Sequence, residues 1–350
     1  MATNAIIDAQ DPILVTGAAG FIGKSVVRTL LDHGFRNIRC LIRPTRSPAE
    51  LEALALSHPS GARIQLIRGN LLSRDDCICA TMDVPLVFHL AAGTGEKSFP
   101  DAFMNCVVTT RNLLDACLYH RSLKRFVNVS SLAVYSNRNK PNGRILDESA
   151  PVEERPELRG EAYCYAKLKQ DELVQDYGKK NGLPFVLVRP GVVYGPGKNG
   201  ITGRVGREIL GIFLRMGASN TIPFSYVDNC AEAIVLAGLV DGVDGEIFNV
   251  VDDDLPSGRR FLRLYKERVR PFRSVNVPRF ASFLGCFLWE KYSAWSRRQL
   301  PPVFNRLVWH AYWKGNVPVN NKIKSRLGWR QRVTTQEGLK RVFESRPHTN

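Results

Sequence analysis

Short apolar runs alternate along this chain with longer stretches in which apolar residues return every three or four positions. Residues 13–16 form such a run and enter a glycine-rich turn; Val26, Val27, Leu30 and Leu31 then recur at helical spacing until Gly34. Further strands are predicted over 38–42, 64–67, 84–90, 126–129 and 185–188, and helices over 49–56, 102–119 and 162–177. In the second of these helices Val107, Leu113, Leu114 and Cys117 mark the inner face. Strands alternating with helices of this length predict an α/β fold, a parallel sheet with helices on both faces. No internal repeat or low-complexity tract breaks the pattern.

The turn after the first run reads Leu14-Val-Thr-Gly17-Ala-Ala-Gly20-Phe21-Ile22-Gly23. Gly17 permits a tight turn, Gly20 lets the backbone approach a pyrophosphate, and Gly23 lets the helix pack closely on the sheet. The helix N-terminus offers N–H donors and a partial positive charge to the phosphates. The spacing is G-x-x-G-x-x-G rather than G-x-G-x-x-G, and a purely structural turn is the bland alternative. Its place directly behind a strand favours a dinucleotide site. About twenty residues beyond Gly23, where NAD sites carry an acid for the ribose, stands Arg43, with Arg46 close behind. An arginine fork suits a 2′-phosphate, so NADP is preferred over NAD; a solvated arginine at a strand end is the other reading.

Composition narrows the class. A chain of 350 residues, 44% of them hydrophobic, suffices for one large α/β core and a smaller lobe. No apolar run reaches the roughly 18 residues of a membrane span, and the first eleven residues lack a signal peptide's basic start and apolar stretch. The expectation is a cytoplasmic protein. Eight cysteines are scattered, only Cys77 and Cys79 lie close together, and C-x-C alone is a poor metal site. No metal is expected, and the thiols read as reduced.

The net charge of +16 is uneven. Residues 259–332 hold eighteen Lys/Arg against Glu267 and Glu290, and all five tryptophans. The rest of the chain is neutral. Within this basic segment Phe280, Phe283, Leu284, Phe287, Leu288, Tyr292 and Trp295 follow helical spacing, with Lys291, Arg297 and Arg298 near the end. Such a helix over 278–296 suits a lid with a solvated basic face, a cap on an apolar pocket, or, within 278–314, peripheral contact with an anionic membrane. The basic lobe also suits a substrate diphosphate. No nucleic-acid recognition module is present, so nucleic acid is not expected as a partner.

Six motifs occur in order: the glycine turn, His89-Leu-Ala-Ala92, Val129-Ser-Ser131-Leu-Ala-Val-Tyr135, Tyr163-Cys-Tyr-Ala-Lys167, Arg189-Pro-Gly-Val-Val-Tyr-Gly-Pro196 and Tyr226-Val-Asp228. The series resembles the extended short-chain dehydrogenase/reductases, the NAD-dependent epimerase/dehydratase group, over roughly residues 12–250. The resemblance implies a Rossmann-type doubly wound sheet in 1–190 plus 228–250 and a C-terminal substrate lobe from 191–227 plus 251–350. It implies a small-molecule substrate, a homodimer and a catalytic group of Ser131, Tyr163 and Lys167. Tyr163 and Lys167 lie four apart on one helix and share a face. The ammonium of Lys167 is expected to bring the phenol down from about 10 towards the working pH, ready for acid–base work. Ser131 would orient the substrate oxygen, and Lys167 would also bond the nicotinamide ribose.

Tyr165 and Lys169 offer a second frame two residues later. Ala166 before Lys167 and Asp171 four beyond it match the family frame, so Tyr163 is chosen and Tyr165 is read as packing. By the same resemblance Asn70-Leu71 flanks the adenine, although the family has Asp where Asn70 stands. Ala91, Ala92 and Gly93 would line the phosphate–ribose region, Pro190 and Val192 would touch the nicotinamide, and Asn105 would brace the active site. His89, at a strand end, reads as structural. Sugar-nucleotide 4,6-dehydratases need an Asp-Glu pair where this chain has Leu132 and Ala133, which excludes that elimination. Arg189-Pro-Gly, Val-Asp-Asn229 and Arg43 look more like the 3β-hydroxysteroid dehydrogenase branch. The expectation is hydride transfer at a secondary alcohol or ketone of a bulky, sterol-like or lipid-linked substrate, with a nucleotide-sugar 4-epimerase holding NAD tightly as the alternative.

Overall fold

The computed structural model of the chain describes residues 5–58, 63–93, 98–139, 143–198, 200–296, 299 and 304–345. Seven parallel strands form the main sheet: β1 (Ile13–Thr16), β2 (Asn37–Ile42), β3 (Arg63–Arg68), β4 (Leu86–His89), β5 (Arg125–Val129), β6 (Phe185–Pro190) and β7 (Ile247–Val250). Their order is β7-β6-β5-β4-β1-β2-β3. Every residue of β1, β4, β5 and β6 is buried, because helices cover both faces; the polar members Arg125, Asn128 and Arg189 are buried with the apolar ones. Helices Phe21–Asp32 and Val227–Leu239 pack together over one face. Helices Arg74–Thr81, Thr109–His120 and Ala162–Asn181 cover the other. This is the Rossmann-type doubly wound fold.

Two features place the site. The chain runs outward from β1 in both directions, so the connections leaving β1 and β4 part company and open a crevice at the carboxyl ends of those strands. The central helix departs from its expected form: Phe99–Phe103 is α-helical, Met104–Val108 widens into a π-helical turn, and Thr109–His120 resumes the α-helix. Such widened turns recur at functional sites, and this one carries Asn105 to the cleft wall.

A second, smaller core is built from the basic segment. The hairpin Gly206–Ile209 and Ile212–Arg215 pairs with strand Ser274–Asn276, and helices Arg279–Trp295 and Arg306–Tyr312 close over Met216, Cys286, Val308, Trp309 and Trp313. The helix expected over 278–296 is therefore present; Arg297 and Arg298 lie outside the described residues. The chain end behaves differently. Ile323, Leu327, Trp329, Leu339 and Val342 join the same core as β1 and β6, so this part of the segment assigned to the lobe packs on the main sheet.

Candidate active site

A cleft of about 1420 Å³ runs from the glycine turn, past the ends of β4, β5 and β6, to the hairpin at Gly206. At the turn Gly17 has φ +70°, and an added Cβ would lie 2.8 Å from the Ala91 nitrogen. A Cβ at Gly23 would come within 2.7 Å of the Ala18 Cα and strike the Gly17 carbonyl. Gly23 thus lets the helix seat against the turn itself, closer in than the sheet contact expected. Helix Phe21–Asp32 starts at Gly20 with no side-chain cap, leaving its first amides available to an anion. A glycine cradle, uncapped amides and an adjoining crevice fit a dinucleotide.

The helix Ala162–Asn181 presents Tyr163 and Lys167 to the cleft, where Ser131 stands opposite. Ser131 ends the extended backbone behind β5 and accepts a hydrogen bond from the Ala133 amide at 3.1 Å. Its hydroxyl also bonds the Tyr163 oxygen. Burial pushes the Tyr163 phenol up to about 12, and the Ser131 bond pulls it back only in part. The expected lowering by Lys167 is not the governing effect, and the reason is geometric. The ammonium of Lys167 donates to the Val129 carbonyl at 2.7 Å and to Gln170 Oε1 at 2.9 Å, and burial holds its own pKa down.

Gln170 opens a buried polar chain. Its Nε2 donates to Thr110 Oγ1 at 2.7 Å; Thr110 in turn donates to the Cys106 carbonyl at 2.5 Å. Thr110 therefore accepts from His89 Nε2 at 2.9 Å, which assigns the proton to that nitrogen. His89 Nδ1 then accepts from Thr16 Oγ1 at 2.8 Å, and Thr16 accepts from the Ala91 amide at 3.3 Å. Burial lowers His89 to about 3, so the ring is neutral. The chain ties the lysine to the ends of β1 and β4, where the glycine turn begins. A separate buried pair, Arg189 and Asp171 at 3.0 Å, receives Ser130 Oγ at 2.8 Å and clamps the end of β5 to the same helix.

The competing frame points elsewhere. Tyr165 packs edge-on against Phe99 at 5.3 Å, and Lys169 pairs with Glu172 at the surface. Gly20, Phe21, Ile22, Arg43 and Arg46 line the cleft's cofactor end. So do Asn70 and Leu71, and across from them Ala91, Ala92 and Gly93. Pro190 and Val192 line its middle. Arg43 reaches Asn105 Oδ1 at 3.4 Å across the rim. Asn70 uses its side-chain oxygen locally, accepting from the Leu72 amide at 3.0 Å. Sequence reasoning missed Thr16, Thr110 and Gln170. Only Gln170 left a signal, three residues from Lys167 on the same helical face. It also missed the far end of the cleft, where Lys198, Arg204 and Arg270 from irregular segments meet Arg207 of the hairpin and Tyr312 at the end of helix Arg306–Tyr312.

The model of the NAD dependent epimerase/dehydratase family matches residues 13–250. The chain belongs to this family. Within the epimerase/dehydratase family its relatives are varied. It is 33% identical over 194 residues to an uncharacterized UDP-glucose epimerase, YtcB, of Bacillus subtilis (strain 168), covering 53% of this chain and 57% of that one. It is 28% identical over 345 residues to a 4-hydroxy-2-methyl-3-oxo-4-farnesyl-3,4-dihydroquinoline-1-oxide ketoreductase of Stigmatella aurantiaca, covering 95% of this chain and 96% of the other. The chain spans about half the length of several curated relatives it matches. In fold it is similar to the UDP-glucuronic acid 4-epimerase of Bacillus cereus solved with UDP-glucuronic acid and NAD, with a TM-score of 0.70 at 22% identity over 95% of this chain and 98% of that one. Among the described residues no helix is long and apolar enough to cross a membrane.

Proposed function

We propose that this protein is an NAD(P)-dependent oxidoreductase acting at a ketone or secondary alcohol of a bulky, sterol-like or lipid-linked molecule. The observation that carries the reading is the placement of Tyr163: a protonated phenol, hydrogen-bonded by Ser131, midway between a glycine turn and a wide cleft end. Likeness over nearly the full chain to a ketoreductase of a farnesylated substrate supports it. A bound nicotinamide supplies or takes up the hydride. The chain does the rest. The glycine turn and Lys167 hold the cofactor, Ser131 orients the substrate oxygen, and Tyr163 gives its proton to that oxygen in reduction or takes one in oxidation. Arg43 and Arg46, two cations at the rim where an acid would favour NAD, support NADP.

In this reading 1–190 plus 228–250 hold the cofactor and 191–227 plus 251–350 shape the substrate end, except for the terminal stretch with Ile323, Leu327, Trp329, Leu339 and Val342, which packs on the main core. Cleft-lining residues such as Arg204, Phe213, Arg270 and Tyr312 support the division. A homodimer through the Tyr163–Lys167 helix and a peripheral membrane contact of 278–314 belong to it as well. A second reading, a nucleotide-sugar 4-epimerase with tightly held NAD, is favoured by one observation. Lys198, Arg204, Arg207 and Arg270 at the substrate end would suit a diphosphate.

Absorbance at the nicotinamide band separates the two. With NADPH and NADH, against a panel of sterol ketones, prenylated ketones and nucleotide sugars, net consumption with the apolar ketones is expected, faster with NADPH. Product from a nucleotide sugar without net consumption would overturn the oxidoreductase reading. Tyr163→Phe should abolish turnover and Tyr165→Phe should leave it; the reverse result would move the catalytic frame.

A further inference from the structure

The basic lobe presents apolar side chains outward on two separate elements. Along helix Arg279–Trp295, Phe280, Leu284, Leu288, Tyr292 and Trp295 are 76%, 51%, 56%, 49% and 79% exposed. At 100° per residue they fall within an arc of about 120°, opposite the buried Ser282, Cys286 and Ser293. Lys291 is the charged residue within that arc. The second element is the hairpin tip. Leu210, with φ +50°, is 98% exposed, and Ile209 and Ile212 flank it at 40% each. A leucine in the left-handed region, with its side chain wholly in water, is an unfavourable choice for a turn that serves only as a turn.

The two elements are joined. Strand Ser274–Asn276 lies beside Ile212–Arg215 and runs within three residues into the helix. Around this junction Arg268, Arg270, Arg273 and Arg279 are exposed. Glu208 is paired with Arg270, and Glu290 with Arg306; Glu267 also stands exposed beside Arg268, but the basic side chains of the junction outnumber the acids. The geometry points to a docking face for an anionic lipid bilayer: the hairpin tip and the helix stripe enter the headgroup layer while the arginines meet lipid phosphates. A second copy of this chain is the poorer occupant. A two-fold contact would set the exposed arginines of this face against their own copies.

The location has a consequence for the cleft. Gly206, Arg207, Glu208 and Phe213, on the same hairpin as Leu210, line its substrate end. Docking would hold the mouth of the cleft at the bilayer surface, where an apolar ketone is dissolved. That consequence rests on the proposed reductase reading; the docking itself does not.

Co-flotation with vesicles tests it without any turnover. The full-length protein is mixed with vesicles of phosphatidylcholine alone, or of phosphatidylcholine with phosphatidylglycerol, at low and high salt. Binding to the anionic vesicles is expected to exceed binding to the neutral ones by at least about tenfold and to weaken with salt. Leu210→Asp, and separately Leu284→Asp with Leu288→Asp, should each cut binding by about tenfold or more at unchanged melting temperature, the residues being exposed. Absence of binding to anionic vesicles, or variants that float like the wild type, would overturn the proposal. So would light scattering that shows a dimer dispersed by the same variants, since a second copy would then be the occupant. Loss of vesicle binding with intact turnover on a dispersed ketone separates this face from the catalytic reading.

Discussion

Replacing Gln170 with leucine removes two hydrogen bonds, its donation to Thr110 Oγ1 and its acceptance from Lys167, and the second is the one that bears on the active site. Gln170 is fully buried and supplies one of the two acceptors of the Lys167 ammonium, at 2.9 Å; the other is the Val129 carbonyl at 2.7 Å. Leucine has similar bulk, so no cavity opens, and water does not reach a site of zero exposure. A hydrogen bond to a charged group is worth about 1.5–3 kcal/mol. With the Val129 carbonyl still in place the lower end applies, about 1.5 kcal/mol, which is roughly tenfold in affinity. If Lys167 holds the cofactor's ribose, the loss is expected in cofactor binding: KM for NADPH up about tenfold, with kcat within about threefold. The deficit should widen as pH rises, because burial already depresses the lysine pKa and losing an acceptor depresses it further. Gln170→Glu, which keeps an acceptor, should restore KM. Initial rates and fluorescence titration of NADPH measure both quantities. A variant that binds NADPH like the wild type and only melts earlier would refute the reasoning and leave Gln170 a packing residue.

Two further outcomes follow from buried charge. Asp171→Asn leaves the Arg189 guanidinium unneutralised in a site where the pair is almost wholly inaccessible, and should cost about 3–5 kcal/mol in denaturant unfolding. Asp171→Leu with Arg189→Met should recover most of that, and a double variant as unstable as the single one would contradict the account. Ketone reduction should be level from about pH 6 to 9, because a phenol raised by burial to about 12 stays protonated throughout. A fall in rate above neutrality would show that Lys167 sets the phenol's acidity after all.

The sheet was legible because burial on both faces leaves apolar runs such as 86–88 and 185–188, and it was least clear in β5, where Arg125 and Asn128 interrupt the run. The glycine turn was legible for the opposite reason: Gly17 and Gly23 sit where a Cβ would strike backbone, and sequence records that as glycine. Tyr163 was separable from Tyr165 because the neighbours of each frame differ. What stayed hidden was whatever depends on two strands and a helix meeting. Thr16, His89 and Thr110 are far apart in sequence, and only the sheet order places the ends of β1 and β4 against the central helix. The π-helical turn at Met104–Val108 left no period of its own. The substrate-end cations come from separate parts of the chain, Lys198, Arg204 and Arg270 from irregular segments and Arg207 from the hairpin. The packing of Ile323 and Leu339 on the main core departs from the lobe expected over 251–350.

The geometry divides labour within the catalytic group more sharply than the shared helical face implied. A lysine held by Val129 and Gln170 stands at the end of a chain leading to Thr16 and the glycine turn; in the proposed reading it would register the cofactor against those strands. The phenol takes its hydrogen bond from Ser131 instead, and Ser131 is fixed by the backbone behind β5 and by the Asp171–Arg189 clamp beneath it. Burial then does to Tyr163 what a donor of protons requires: it keeps the hydroxyl neutral until a carbonyl oxygen arrives to share the Ser131 bond. In the proposed reading a phenol kept neutral is poised to protonate a ketone oxygen at neutral pH. Oxidation would need the phenolate, and the Ser131 bond offsets only part of the cost that burial places on forming it.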